Sequence, residues 1–205
     1  MSGPATRDRF RGHIAGAGSS AGVRVVVGRW EQSPLGSFTD VMLAEPDGTR
    51  HLLAPSQEVA EYVASTYSFD HVRIGPVTAR VTEVGWDVEA PGLTLHLAVG
   101  SRTALGRLLR LVPRRLAEAP GWTRVTDPVA RRVLRGVRTR GSAGGGRREY
   151  YGATDLRRVT SLRGTWRGQD LGVLAPVSPE PGFGFGSTPE RPSVTTVVTT
   201  VELPA

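Results

Sequence analysis

The C-terminal segment, residues 193–203, constrains the fold more than any other part of the chain. Its valines, Val194, Val197, Val198 and Val201, recur at a helical spacing, with threonines between them. A helix built almost entirely from valine and threonine would lose side-chain freedom at nearly every position, whereas these residues pack well in sheets. We therefore predict a strand here, with both of its faces partly covered.

The rest of the chain shows the same preference for strands. It has 25 Val and 19 Thr against 18 Leu and 2 Ile, so β-branched residues dominate. Leu93, Leu95 and Leu97 alternate with polar or small residues, which is typical of a half-buried strand, and Asp47-Gly48 is a hairpin signal. The pattern predicts a β-rich α+β fold. We expect a single domain over residues 1–205, built on an antiparallel sheet that is either barrel-like or a sandwich.

Two or three helices are expected to interrupt this sheet. The first, over 56–66, begins at Ser56, which can cap free backbone N–H groups. The second, over 102–112, has leucines on one side and arginines on the other, and the third, over 128–135, follows an Asp-Pro start signal. Residues 1–12 are predicted to be flexible, because they are rich in glycine and arginine.

Positive charge is concentrated in one quarter of the chain. Residues 101–148 hold 13 Arg and only two acids, Glu118 and Asp127, so we treat them as a basic helical insertion. Such an asymmetry indicates an anionic partner: nucleic acid, an anionic membrane or an anionic small molecule. The alternative is a solvated basic face without a partner. The candidate anion-binding residues are Arg107, Arg110, Arg131, Arg135, Arg147 and Arg148.

Missing residue types exclude several chemistries. The chain has no cysteine, and all 26 basic residues are arginine, so thiolate nucleophiles, Schiff-base lysines and the P-loop lysine are ruled out. The four histidines lack metal-motif spacing, and we expect neither a metal nor a cofactor. Gly18 to Gly22 matches a nucleophile elbow around Ser20, but a strand follows where that elbow needs a helix. No secretory apolar stretch is present near the start, which predicts a cytoplasmic protein.

Candidate ligand-binding residues are aromatic or titratable side chains on predicted strands and loops. Asp40 lies between Phe38 and Met42 on one strand face, where an acid is either a paired structural group or lines a cavity. Phe183 and Phe185 lie in a Pro/Gly-rich loop that can cover a ligand mouth or plug the core. The full candidate set is Trp30, Asp40, His96, Trp166, Phe183 and Phe185.

Three stretches, Ser33–Met42, Gly141–Gly152 and Phe183–Pro189, resemble an uncharacterised protein family of GC-rich actinobacteria. No activity is attached to that family, so the resemblance implies no site. The Gly-x-Trp-x-Gly step around Trp166 resembles that of lipocalin-like barrels, which implies barrel-like β structure. The strand-rich layout is also similar to that of acetoacetate decarboxylase-type β-barrels. Their chemistry uses a lysine, so that activity is excluded here even if the fold is shared.

These observations favour a binding protein for a small apolar ligand with an anionic end. The ligand would lie in a barrel-like cavity, with arginine contacts to its anionic end. Three alternatives remain open at this point: association of the basic helical segment with an anionic membrane or a protein, nucleic-acid binding, and an acid/base enzyme acting on a cavity ligand.

Overall fold

A computed structural model describes residues 7–112, 140–142, 148–184 and 188–202 of the 205-residue chain. The elements in chain order are β1 (Arg7–Ser19), β2 (Arg24–Gln32), β3 (Phe38–Ala44), β4 (Arg50–Ala54), α1 (Gln57–Ala64), β5 (His71–Ile74), β6 (Thr78–Val81), β7 (Gly85–Ala90), β8 (Leu93–Arg102), α2 (Ala104–Leu109), β9 (Arg140–Ser142), β10 (Arg148–Trp166), β11 (Gln169–Asp170), β12 (Leu174–Ala175) and β13 (Ser193–Glu202).

These strands form one curled sheet. Its order is β5-β4-β3-β2-β1-β13-β10-β8-β7-β6, with the short strands β9, β11 and β12 paired at its margins. Neighbouring strands are antiparallel except β4 and β5, which run parallel. The sheet curls into a half-barrel, which confirms the β-rich, barrel-like domain. The sandwich alternative does not form, because the strands belong to one continuous sheet instead of two packed ones.

The C-terminal segment is the strand that its composition predicts. It forms β13, which lies between β1 and β10 near the middle of the sheet. Val194 is buried on one face, and Val197 and Val201 are buried on the other. A central strand covered on both faces needs apolar residues on both sides. This explains why its valines are not confined to alternate positions.

Both described helices are shorter than their sequence patterns predict. Helix α1 has the predicted cap: the Ser56 hydroxyl accepts a hydrogen bond from Val59 N at 3.3 Å. Helix α2 begins only after Thr103, because β8 continues to Arg102. Gly106 holds α2 tightly against β10, where an added Cβ would lie 2.3 Å from a backbone oxygen of β10. The predicted helix over 128–135 lies outside the described residues.

The N-terminal prediction needs a correction. Residues 7–12, expected to be flexible, form the first half of β1 and pair with β13 on one side. From Arg11 onward β1 also pairs with β2 on its other side. Phe10 is buried in the sheet. The glycine and arginine content that suggested flexibility was overridden by strand pairing on either side.

The two faces of the sheet bury different cores. The interior core contains residues from both halves of the sheet, such as Leu53 of β4, Val88 of β7 and Leu97 of β8. Strands so far apart in the sheet order share one core because the sheet curls around it. The helix-covered core contains Phe10, Met42 and other residues on the opposite faces of the central strands, together with the buried side of α1. Neither described helix has the length or apolar character needed to span a bilayer.

Candidate functional site

A cavity of about 60 Å³ lies in the helix-covered core. Its walls come from α1 and the segment after it, and from the faces of β3, β2, β1, β13 and β10 that oppose the interior core. Six of its lining residues are aromatic: Phe10, Trp30, Phe38, Tyr62, Tyr67 and Tyr151. Ligand sites are typically apolar and aromatic with a few placed polar groups, so this cavity is the leading candidate.

The aromatic rings surround Phe10 in different planes. Its ring centroid lies 5.6 Å from that of Trp30 and 6.4 Å from that of Phe38, with interplanar angles of 71° and 86°. The Tyr62 ring lies 5.1 Å away at 50°. Edge-to-face pairs of this kind are favourable and orient each ring. The rings therefore form inclined walls instead of a stack.

Asp40 is the buried carboxyl group at the β3 side of the cavity. Trp30 Nε1 donates a hydrogen bond to Asp40 Oδ1 at 3.0 Å. The β2–β3 register pairs Asp40 with Gly28, where a Cβ would lie 2.5 Å from Oδ1 and 2.7 Å from the indole nitrogen. Gly28 therefore leaves the space that this hydrogen bond occupies. Burial raises the pKa of Asp40 to about 7, although the hydrogen bond from Trp30 partly opposes the shift.

A second polar group lies at the β10 side. The hydroxyls of Tyr67 and Tyr151 each donate to Glu149 Oε2 at 3.0 Å, and the two hydroxyls also contact each other. Glu149 and Tyr151 are two positions apart on β10, so they share a face. The pKa of Tyr67 lies well above its usual value. Burial is the largest cause, and the neighbouring Tyr151 and Glu149 raise the pKa further. Tyr67 therefore stays a neutral phenol at physiological pH.

Thr199 of β13 lines the cavity between these two ends. Its side chain is only 4% exposed, and its Oγ1 has no hydrogen-bond partner among the described residues. A buried hydroxyl without a partner costs about 1–3 kcal/mol, so such groups are normally satisfied. The hydroxyl of Thr199 is therefore a polar group in the cavity wall that still has hydrogen-bonding capacity within the described residues.

The structure brings some of the sequence-derived ligand candidates together. Trp30 and Asp40 lie in the cavity and are bonded to each other. Phe183 belongs to the helix-covered core, where its ring lies 5.7 Å from that of Phe69 and its carbonyl accepts from Ser68 N at 2.7 Å. It is buried in this core and is not among the residues that line the cavity. Phe185 lies outside the described residues.

Two other candidates are placed elsewhere. His96 is half-exposed on the sheet face away from the interior core, where its Nδ1 lies 2.6 Å from Asp87 Oδ1. Trp166 is buried at one end of the interior core, where its Nε1 donates to Glu45 Oε1 at 3.1 Å. His96 and Trp166 therefore do not share a site with Asp40.

The arginine candidates do not line the cavity in the described part of the chain. Arg107 and Arg110 are exposed on and just after α2. Arg131, Arg135 and Arg147 lie outside the described residues, and Arg148 is described only as the first backbone position of β10. The charged groups among the described lining residues are Asp40 and Glu149, which are both acids.

Two wider grooves are less suited to hold a ligand. One, of about 320 Å³, runs beside His13, whose Nδ1 pairs with Thr196 Oγ1 at 3.1 Å and whose Nε2 lies 3.6 Å from Glu31. The other, of about 730 Å³, is the exposed sheet face that carries His96 and Asp87. The histidines of both grooves already pair with neighbouring side chains. Within the described residues, no three His, Asp or Glu side chains are placed to hold a metal ion.

Sequence reasoning missed several cavity residues. Thr199 between Val197 and Val201 repeats the signal that drew attention to Asp40, a polar residue on an apolar strand face. The i, i+2 spacing of Glu149 and Tyr151 was also visible. The contact of Tyr67 with Glu149 joins residues 82 positions apart, and no local pattern reveals it.

Comparison with protein-family profiles and with curated protein sequences finds no match. Among solved structures, the chain is similar to an acetoacetate decarboxylase from Legionella pneumophila, with 9% identity and a TM-score of 0.45, covering 97% of this chain and 86% of that one. It is also similar to a protein provisionally named AttH from Nitrosomonas europaea, with 12% identity and a TM-score of 0.29. That match covers 96% of this chain but only 50% of the other. Both likenesses are too distant to carry a function.

Proposed function

We propose that the protein binds a small, largely apolar molecule in the cavity beneath α1. The observation that carries this proposal is the pairing of an aromatic wall with buried polar groups that face the cavity. Thr199 supplies a hydroxyl with no partner in the described part of the chain, and Asp40 supplies a buried carboxyl group. Isolated polar groups in an apolar pocket are how binding sites orient a ligand.

This lining does not support the anionic ligand end expected from the arginine-rich segment. An anion would lie beside Asp40 and Glu149, whose negative charges would repel it at low dielectric. The described lining offers no arginine as a counter-charge. The expected apolar ligand body, however, agrees with the aromatic wall.

Ligand capture can be tested with one isosteric change. Thr199→Val removes the unpartnered hydroxyl while keeping the side-chain shape, so it should weaken retention of a co-purified or screened molecule about fivefold, the equivalent of one hydrogen bond. Native mass spectrometry and the NMR signal of the Trp30 indole N–H would measure this. Thr196→Val, on the same strand but facing the other side, is the matched control and should bind like the parent.

The following negative result would refute the proposed ligand-binding function. If no small molecule co-purifies, and if a fragment library leaves the Trp30 indole signal unmoved, the cavity is only a packing defect and the proposal fails. Chemical conversion of the bound molecule during incubation would instead make the cavity an active site.

Surface association through α2 is a second candidate function. Leu108 and Leu111 are 61% and 79% exposed, and they alternate with the exposed Arg107 and Arg110. Exposed leucines beside arginines suit an anionic lipid surface. Arg107→Gln combined with Arg110→Gln should lower co-sedimentation with vesicles of anionic lipid, and Leu108→Ser should lower the salt-resistant remainder. Parent-like sedimentation by both variants would remove this candidate.

A further inference from the structure

The cavity has a consistent electrostatic sign. Among its described lining residues the charged or chargeable groups are carboxyls and phenols, and none is basic. Aromatic faces carry negative quadrupole potential, so they add to the attraction that a carboxylate exerts on a cation. The ionisable groups of the described lining therefore favour a positively charged occupant over a negative one, and any aromatic face turned towards the cavity adds to that preference.

We propose that the occupant is an organic cation, an ammonium group held among the aromatic rings with Asp40 as its counter-charge. This inference rests on the proposed ligand-binding function and names the chemical class of the ligand. The ammonium group supplies donors and no acceptor, which matches a site whose available polar atoms are carboxyl and hydroxyl oxygens. The Thr199 hydroxyl, unpartnered in the described part of the chain, is one such acceptor.

The Asp40 side can accept such a group without losing its existing bond. A carboxylate has about four lone-pair positions, and the indole of Trp30 occupies one of them on Oδ1. A neutral alcohol would also find acceptors here, but it would gain no charge attraction. A carboxylate ligand would offer only acceptors where acceptors already line the wall.

The cavity volume limits the size of the charged head. A cavity of about 150 Å³ holds a benzene ring, so a cavity of about 60 Å³ suits a smaller group. A primary or small secondary alkylammonium head suits this volume. Any longer apolar remainder of the ligand would have to extend from the partly open side of the cavity.

Cation binding at this site is coupled to a proton. Because burial raises the pKa of Asp40 to about 7, part of the free protein holds a neutral Asp40 at and below neutral pH. A bound cation favours the ionised carboxylate, so binding releases a proton there, and affinity rises with pH until Asp40 is ionised in the free protein. Other titratable groups also face the cavity or its wall: Tyr62 and Tyr67 from α1 and the segment after it, Tyr151 and Glu149 from β10, and Asp8 of β1 through Tyr62.

The experiment uses three probes of nearly equal shape: isopropylammonium, isopropanol and isobutyrate. Each is titrated into the full-length protein while the Trp30 indole N–H signal is followed. We expect the cation to bind at least about tenfold more tightly than the alcohol near pH 8, where Asp40 is ionised, and isobutyrate to bind most weakly. Calorimetry of the cation in two buffers of different ionisation enthalpy should show proton release near pH 6 and little near pH 8.

Asp40→Asn keeps the shape of the side chain and removes its charge. We expect this variant to lose the proton release and to bind isopropylammonium at least about fivefold more weakly, so that its preference for the cation over isopropanol falls. Asp87→Asn removes an exposed acid on the sheet face away from the interior core and is the matched control, so it should keep both properties. If Asp40→Asn does not fold, the proton release of the parent protein still tests the coupling.

The outcomes separate the two proposals. Equal affinity for isopropylammonium and isopropanol in the parent would overturn the cation inference and leave the ligand-binding function standing. Tightest binding of isobutyrate, or an unaltered cation preference in a folded Asp40→Asn protein, would also overturn the inference. If none of the three probes moves the Trp30 signal, the cation inference fails, and the broader fragment library then tests the ligand-binding function separately.

Discussion

The two faces of the central strands differ in how closely they are packed. On β3, Val41 and Leu43 point into the interior core and are completely buried there. The alternating residues Phe38, Asp40 and Met42 point the other way and line a cavity. One strand therefore contributes close packing on one face and part of a cavity wall on the other. On the helix-covered face the buried carboxyl groups are bonded to protein donors, Asp40 to Trp30 and Glu149 to Tyr67 and Tyr151.

This contrast implies that equal truncations should cost unequal amounts on the two faces. Leu97→Ala removes a side chain that is completely buried in the interior core and should cost about 2–5 kcal/mol of unfolding free energy. Met42→Ala should cost less, because the Met42 side chain borders an existing cavity and has fewer packing contacts to lose. Urea denaturation of both variants measures the difference. Equal losses would show that the two faces are packed alike.

The next largest expected effect is a pH dependence of the folding stability, which arises from Asp40 in the helix-covered core. Asp40 has a pKa of about 7 in the folded protein, whereas an unfolded aspartate has about 3.9. The folded state therefore holds a proton that the unfolded state has released, and stability falls as pH rises between about 4 and about 7, by at most about 1.4 kcal/mol per pH unit. Asp40→Asn should remove this slope. A parent and a variant with parallel stability–pH curves would contradict the assignment.

A substitution at Gly28 tests how much the hydrogen bond between Trp30 and Asp40 stabilises the helix-covered face. Gly28→Ala places a Cβ 2.5 Å from Asp40 Oδ1 and should break the bond to Trp30, at a cost of about 1–3 kcal/mol. Trp30→Phe removes the indole donor in advance, so Gly28→Ala should cost less in that background. A double-mutant cycle from denaturation midpoints measures the coupling. Strict additivity would mean that the glycine does not act through this hydrogen bond.

The smallest expected change in stability is that of Thr199→Val, which we compare with the same substitution at Thr103. Thr199→Val deletes a hydroxyl without a partner in the described part of the chain, so stability should stay unchanged or rise by up to about 1 kcal/mol. Thr103→Val deletes the hydroxyl that caps α2 by accepting from Gly106 N at 2.9 Å, and it should cost about 0.5–2 kcal/mol. Thermal unfolding of both variants tests this order. A clear loss of stability in Thr199→Val would mean that its hydroxyl is already satisfied.

Local signals predicted much of the secondary structure. The strand Phe38–Ala44, the cap of α1 at Ser56 and the turn at Gly48, whose φ is +92°, all follow from residues close together in sequence. The errors came where pairing overrode composition, as in residues 7–12, or where a strand extended into the predicted start of a helix, as at α2. Strand pairing and helix docking are long-range contacts that a sequence window does not contain.

The sequence by itself determined that the chain forms strands, where the first helix begins, and which chemistries are excluded by the lack of lysine and cysteine. It also singled out Asp40, because an acid on an apolar strand face needs an explanation. Only the tertiary structure decided that this face is covered by α1, and that Asp40 shares its cavity with Thr199 and Glu149. The physical reason is that alternation along a strand separates two faces without saying what covers either one. Sheet curvature and helix docking decide that, and they bring together side chains more than a hundred residues apart.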